Sequence, residues 1–97
     1  MPRSRAAAAY AVTNSLSTTA AIPLEGRAGF YVSCPTGSGI TSIQVYGLAY
    51  TGGEYTPCGT AFTGTVPYGF TCVDAFGAVS VKLVANTSAT VQVGISD

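Results

Sequence analysis

The sequence predicts one all-β domain: an antiparallel β-sandwich, jelly-roll-like or Greek-key, with about eight to nine short strands and an amino-terminal arm. Three observations predict it. In the carboxy-terminal stretch Val79, Val81, Leu83 and Ala85, and then Ala89, Val91, Val93 and Ile95, recur at every second position. That is the period of strands with one buried face. Gly, Pro and Asn punctuate the chain about every eight to twelve residues, the rhythm of sandwiches and barrels. No segment sustains a helical period; Ala6–Ala9 has helix propensity, but the β-branched and Ser/Thr-rich residues after it do not continue a pattern.

Residues 1–19 read as an arm with a first strand, and 20–97 as the sandwich proper. Strands are expected near 5–12, 15–22, 28–34, 40–51, 54–58, 60–66, 69–73, 78–85 and 89–96. Arg3 and Arg5 before a mildly apolar 6–12 imitate a secretion signal, but the run is alanine without leucine and turns polar at Thr13, so it reads as a mobile arm entering the first strand. The turn at 35–39 separates the third and fourth strands. Gly52-Gly53 suits a two-residue hairpin turn, which would set Tyr50 opposite Tyr55. Asp74–Gly77 reads as a short capped turn with Phe76 plugging the core beneath it. Asn86-Thr87-Ser88 reads as the loop of a final hairpin in which Ala85 faces Ala89 and Leu83 faces Val91. The same triplet matches a glycosylation acceptor, but turn chemistry is the stronger reading.

Composition narrows the function classes. Only 8% of residues are charged, against about 25% in ordinary globular domains, and four basic residues cancel four acidic ones. There is no basic stripe for nucleic acid and no apolar run long enough for a membrane helix. With no histidine, the commonest general base and metal ligand is missing. The carboxylates Glu25, Glu54, Asp74 and Asp97 are scattered, and Cys72 has no base beside it in sequence. No catalytic residue, metal or cofactor is therefore expected. Cys34, Cys58 and Cys72 lack metal spacing and are expected as free, mostly buried thiols, with a Cys58–Cys72 bridge as the alternative.

What remains is surface. In 41–50, Ile43, Val45 and Ala49 mark one face while Tyr46, Leu48 and Tyr50 mark the other, so the strand is apolar on both sides. Such a strand is covered twice or exposes a patch. Near-zero net charge favours self-contact. Candidate interface residues are Tyr46, Leu48, Tyr50, Tyr55, Val84 and Tyr10, with Arg3 and Arg5 as a basic pair able to anchor the arm. Tyr31, Tyr46, Tyr50, Tyr55 and Tyr68 could instead cluster as a sugar-stacking platform.

The stretch FGAVSVKLVANTSATVQVGISD, preceded by VPYGFTCVDA, resembles the carboxy-terminal half of small all-β virion proteins of tailed bacteriophages. IPLEGRAGFYVS and TSIQVYG fit the same layout, so the likeness spans residues 20–97. The resemblance implies a capsid decoration or cement protein that braces the shell from the capsid exterior after synthesis in the host cytoplasm. Its implied partners are itself, as a trimer, and the major capsid protein. The alternatives are a head-fibre base or tail component, or a glycan-binding adhesive module.

Overall fold

The computed structural model describes residues 5–24, 29–72 and 78–96. They form nine strands in two antiparallel sheets: β1 (Arg5–Val12), β2 (Ala21–Pro23), β3 (Gly29–Cys34), β4 (Ser42–Leu48), β5 (Tyr55–Pro57), β6 (Phe62–Thr63), β7 (Tyr68–Cys72), β8 (Ser80–Ala85) and β9 (Ala89–Ser96). Sheet A runs β1-β9-β3-β7, and sheet B runs β2-β8-β4-β5 with β6 on the same edge of β4 as β5.

The pairing is nested. β1 bonds β9, β2 bonds β8, β3 bonds β7, and β4 bonds β5 and β6. The chain is thus one long hairpin, wound so that β9–β3 and β8–β4 close the two sheets. That is the jelly roll, with its innermost return strand broken into β5 and β6. The expected all-β sandwich is the observed one.

Burial explains why the alternating segments settle here. Val81, Leu83 and Ala85 point inward from sheet B and meet Val91, Val93 and Ile95 from sheet A. Phe30, Val32 and Cys34 on β3 and Ile43 and Val45 on β4 complete the same layer. Phe62 and Phe70 stack across the β6–β7 crossing, with centroids 3.9 Å apart. The alanines of β1 are helix formers in isolation; eight register pairs with β9 override that preference.

Several expectations change. β8 and β9 are not a hairpin: they lie in opposite sheets and share no register, and residues 86–88 arch between the layers. The arch is clamped by Asn86, whose Oδ1 accepts from the Thr41 and Ser42 amides at 2.7 and 3.2 Å and whose Nδ2 donates to the Gly39 carbonyl at 3.2 Å. With its amide so engaged, Asn86 is a turn residue. Val79, expected inward, is 43% exposed.

Tyr50 does not face Tyr55. Leu48 does, and 49–54 form the connection. Its turn runs from Tyr50 to Gly53, closed by the Gly53 amide on the Tyr50 carbonyl at 2.9 Å, with Gly52 at φ +93°, a conformation only glycine takes cheaply. Ala49, expected on the inner face, is exposed in the same connection.

The second strand is also shorter than 15–22, because hydroxyls capture the backbone there. Thr13 Oγ1 donates to the Ser15 carbonyl at 2.9 Å and accepts from the Ser15 amide at 3.1 Å, and the buried Thr19 hydroxyl donates to the Ser15 carbonyl at 2.9 Å. Cys34 and Cys58 are free thiols, so the Cys58–Cys72 bridge is not formed. The Asp74–Gly77 turn, with Phe76, lies outside the described residues, as does Arg3.

Candidate interaction surfaces

Two sheet faces point away from the core, and the expected interface residues gather mainly on one of them. The outer face of sheet B carries most of the expected interface residues. The register sets Tyr46 between Pro57 and Lys82, Leu48 between Tyr55 and Ser80, and Gln44 beside Val84. Tyr46, Leu48, Tyr55 and Val84 therefore do share one face, and each is half-buried.

Much of that covering is the chain's own. Tyr55 reaches past the Leu48 position to hydrogen-bond Ser80 Oγ at 2.9 Å, and Ser80 is buried beneath it. Lys82 holds its ammonium 5.0 Å from the Tyr55 ring centroid, a cation–π distance, and donates to the Leu16 carbonyl at 3.1 Å. The sole lysine is thus fastened across its own sheet instead of standing in solvent. Gln44 donates to the carbonyls of Val45, Cys58 and Gly59 at 3.0, 3.3 and 3.3 Å and pins the break between β5 and β6.

The remaining expected residues lie elsewhere. Tyr50, 66% exposed, sits on the 49–54 connection. Tyr10 packs against the core from sheet A, beside Val91 in the register. Arg5 opens β1 opposite Ser96. The five tyrosines of the sugar-platform reading do not cluster: Tyr31 is on sheet A, Tyr46 and Tyr55 on the outside of sheet B, Tyr50 on a turn, and Tyr68 against the core.

The outer face of sheet A is different in kind. Its register rows run Ala9–Gln92–Ser33–Gly69 and Gly94–Tyr31–Thr71, with Ala11 and Thr90 beyond. Among the described side chains this face holds no charge, and only Tyr31 is large. Tyr31 is 48% exposed and lies across Gly69 on the neighbouring strand. A Cβ at Gly69 would sit 2.6 Å from Tyr31 Cζ, so glycine is required for the ring to lie flat. Between Tyr31 and β1 runs an open groove of about 410 Å³, lined by Ala9, Ser33, Gln92 and Gly94 among others. This face was not foreseen. Its small residues carry no hydrophobic period, and it is assembled from four strands scattered along the chain.

Chemistry is sparse. The described residues hold no group of three or more His, Cys, Asp or Glu side chains that could bind a metal. Among the described residues the perturbed pair is internal. The Tyr68 hydroxyl is buried without a well-formed hydrogen bond, and Cys34 is its neighbour. Burial, and then the Cys34 thiol, push Tyr68 up to about 12, and burial raises Cys34 as well. Both groups stay protonated and unreactive at neutral pH.

The fold is a jelly roll with two uncharged-to-sparse outer faces and no assembled catalytic group among the described residues. No protein-family model matches the chain, and no curated protein matches it. Among solved structures it is similar to the crystal structure of PBSX exported protein XepA, with a TM-score of 0.66 and 14% sequence identity. The match covers 100% of this chain and 40% of that one, so the chain spans well under half of its neighbour's length. At that identity the likeness is one of fold.

Proposed function

We propose that this chain is a non-enzymatic structural protein of a phage particle, in the first instance a capsid decoration or cement subunit that self-associates and lies over junctions of the major capsid protein. The observation that carries this reading is the outer face of sheet A. It is four strands wide, uncharged among its described side chains, and paved with Ala, Gly, Ser and Thr around one exposed tyrosine. A face without charges or protruding side chains can approach another protein closely and loses little solvation in doing so. An assembly protein needs area, not titratable groups: a standard interface takes about 800 Å² from each partner. The total accessible surface here is 5310 Å², so two or three such contacts occupy a large part of it. The family resemblance at residues 20–97 and the fold shared with the phage PBSX exported protein XepA both support a phage structural role. A tail or head-fibre component meets the same physical requirements.

The test is the composition of particles. In virions purified from the culture that makes this chain, quantitative mass spectrometry should find it in a fixed ratio to the major capsid protein. Its absence from intact particles would sink the reading. A second reading has one observation in its favour: Tyr31 lies flat beside Gln92 and Ser33 in the sheet A groove, an aromatic platform flanked by hydrogen-bonding groups, as a glycan site requires. Glycan-array binding that is lost in Tyr31→Ala would support it.

A further inference from the structure

A sandwich has four strand edges, and each presents unpaired N–H and C=O groups to any passing strand unless the sequence blunts it. Three of the four edges are blunted. β2 has three residues and ends in Pro23. β5 has three residues and ends in Pro57, and its continuation β6 has two. β7 has five residues, follows Pro67 and contains Gly69. The fourth edge, β1, has eight residues, carries no Pro or Gly, and is alanine at five of its positions. Ala8, Ala9 and Ala11 are exposed, so no bulky side chain screens the backbone there.

The orientation of that edge can be read from one bond. The Ala11 carbonyl accepts from the Ala20 amide at 3.3 Å, on the side away from β9. Backbone groups alternate along a strand, so the N–H and C=O of Ala9, Ala7 and Arg5 point to the same outer side. Among the described residues no strand pairs with them.

We propose that β1 is an intermolecular pairing edge, and that it joins antiparallel to β1 of a second copy about a two-fold axis at Ala7; the inference rests on reading the chain as an assembling subunit. The three outward residues are symmetric about Ala7, so a second copy presents the same set in reverse. The register centred on Ala7 sets Ala7 against its counterpart and Arg5 against Ala9, and each facing pair exchanges two hydrogen bonds. It leaves none of the three residues unmatched, and no other register achieves that. It also keeps the two Arg5 positions about 14 Å apart, beyond the screening length of roughly 8 Å at physiological salt. Pairing joins both copies of sheet A into one eight-stranded sheet.

The contact is isologous, so it builds dimers or assemblies of even order, in place of the trimer that the family resemblance implies. The five residues of the register, 5–9, make an edge about 17 Å long and 10 Å thick with a footprint of roughly 170 Å², about a fifth of what a standard stable interface takes from each partner. Dimers should therefore grow in with concentration instead of persisting at high dilution.

The experiment is sedimentation equilibrium of the full chain over a wide concentration range, with far-UV circular dichroism and thermal melting as fold checks. The wild-type mass should rise from 9.8 kDa toward twice that value. Ala7→Pro removes an outward N–H that the fold does not use, and should stay monomeric with an unchanged melting temperature. If proline there proves incompatible with folding, Ala7→Lys decides the matter by setting two lysines face to face. A wild type that stays at monomer mass up to millimolar concentration overturns the proposal. So does a folded Ala7→Lys that associates like wild type; in that case association runs through another surface, and the assembly reading survives without the β1 edge.

Discussion

The two outer faces of this sandwich differ in how they dispose of apolar surface. Sheet B has large side chains, Tyr46, Leu48 and Tyr55, and much of the shielding is internal: Tyr55 spans to Ser80, and Lys82 closes over Tyr55. Among the described residues the outer face of sheet A has almost no large side chains, and Tyr31 lies on Gly69. A strand apolar on both sides therefore does not by itself demand a partner, because long amphipathic side chains can cover the second side. A face of small uncharged residues has no such recourse. It stays flat, and on the reading proposed above it is another molecule that covers it.

The largest effect expected from any one change lies between the two sheets. Val81→Glu places a carboxylate in a fully buried position with no partner, and should cost upward of about 4 kcal/mol and abolish cooperative folding, read by far-UV circular dichroism. A folded, cooperative Val81→Glu would mean that the inner layer is not packed as described. Next in size is Gly69→Val, which lifts Tyr31 off sheet A. Overpacking of this kind costs about 1–3 kcal/mol, and tyrosine fluorescence quenching should report a more exposed ring. Unchanged stability would show that Tyr31 does not lie on that strand.

The comparison sharpens on sheet B with Tyr55→Phe. The ring remains but the bond to Ser80 is lost and a buried hydroxyl is left unpaired, so stability should fall by about 1–2 kcal/mol. That corresponds to a drop of roughly 4–15 °C in melting temperature for a domain of this size. The smallest effect concerns Tyr68. Removing its buried, poorly bonded hydroxyl in Tyr68→Phe should be neutral or stabilising by up to about 1 kcal/mol near pH 7.

Wild type should also weaken in alkali. Tyr68 is at about 12 in the folded chain against 10.0 for the unperturbed group, so above pH 10 the unfolded state releases its proton first and stability falls as pH rises toward 12. Cys34, raised by burial, acts in the same direction from about its ordinary 9.0 upward. Urea unfolding at stepped pH should show this decline, and Tyr68→Phe should blunt it.

How much of this was legible in the sequence follows from what period-two patterning encodes. Alternation reports which residues point inward, so each expected segment overlaps an observed strand, the second only at 21–22, and Val81, Leu83, Val91, Val93 and Ile95 lie in the core as expected. It does not report which strand bonds which. Ala85 and Ala89 could face each other across a hairpin or across the two layers, and both arrangements bury the same side chains. The Asn86 clamp on Thr41 and Ser42, which spans more than forty residues, is part of the arch and has no local signature. Residues 15–20 were misread because β-branched residues also carry hydroxyls, and there the hydroxyls took the backbone bonds. Sheet A's outer face stayed hidden because Ala, Gly, Ser and Thr reveal a surface only once the strands lie side by side.

The central claim is that association runs through sheet A. It is tested by placing one charge at an exposed position of each sheet, leaving the core intact. Ala9→Lys sits on β1 of sheet A, where the Ala7-centred register sets it against Arg5 of the second copy, and Ala21→Glu sits on sheet B beside Lys82. Light scattering at matched concentration should show Ala9→Lys reduced to the monomer mass of 9.8 kDa while Ala21→Glu associates like wild type. Association abolished by Ala21→Glu and untouched by Ala9→Lys would contradict the account.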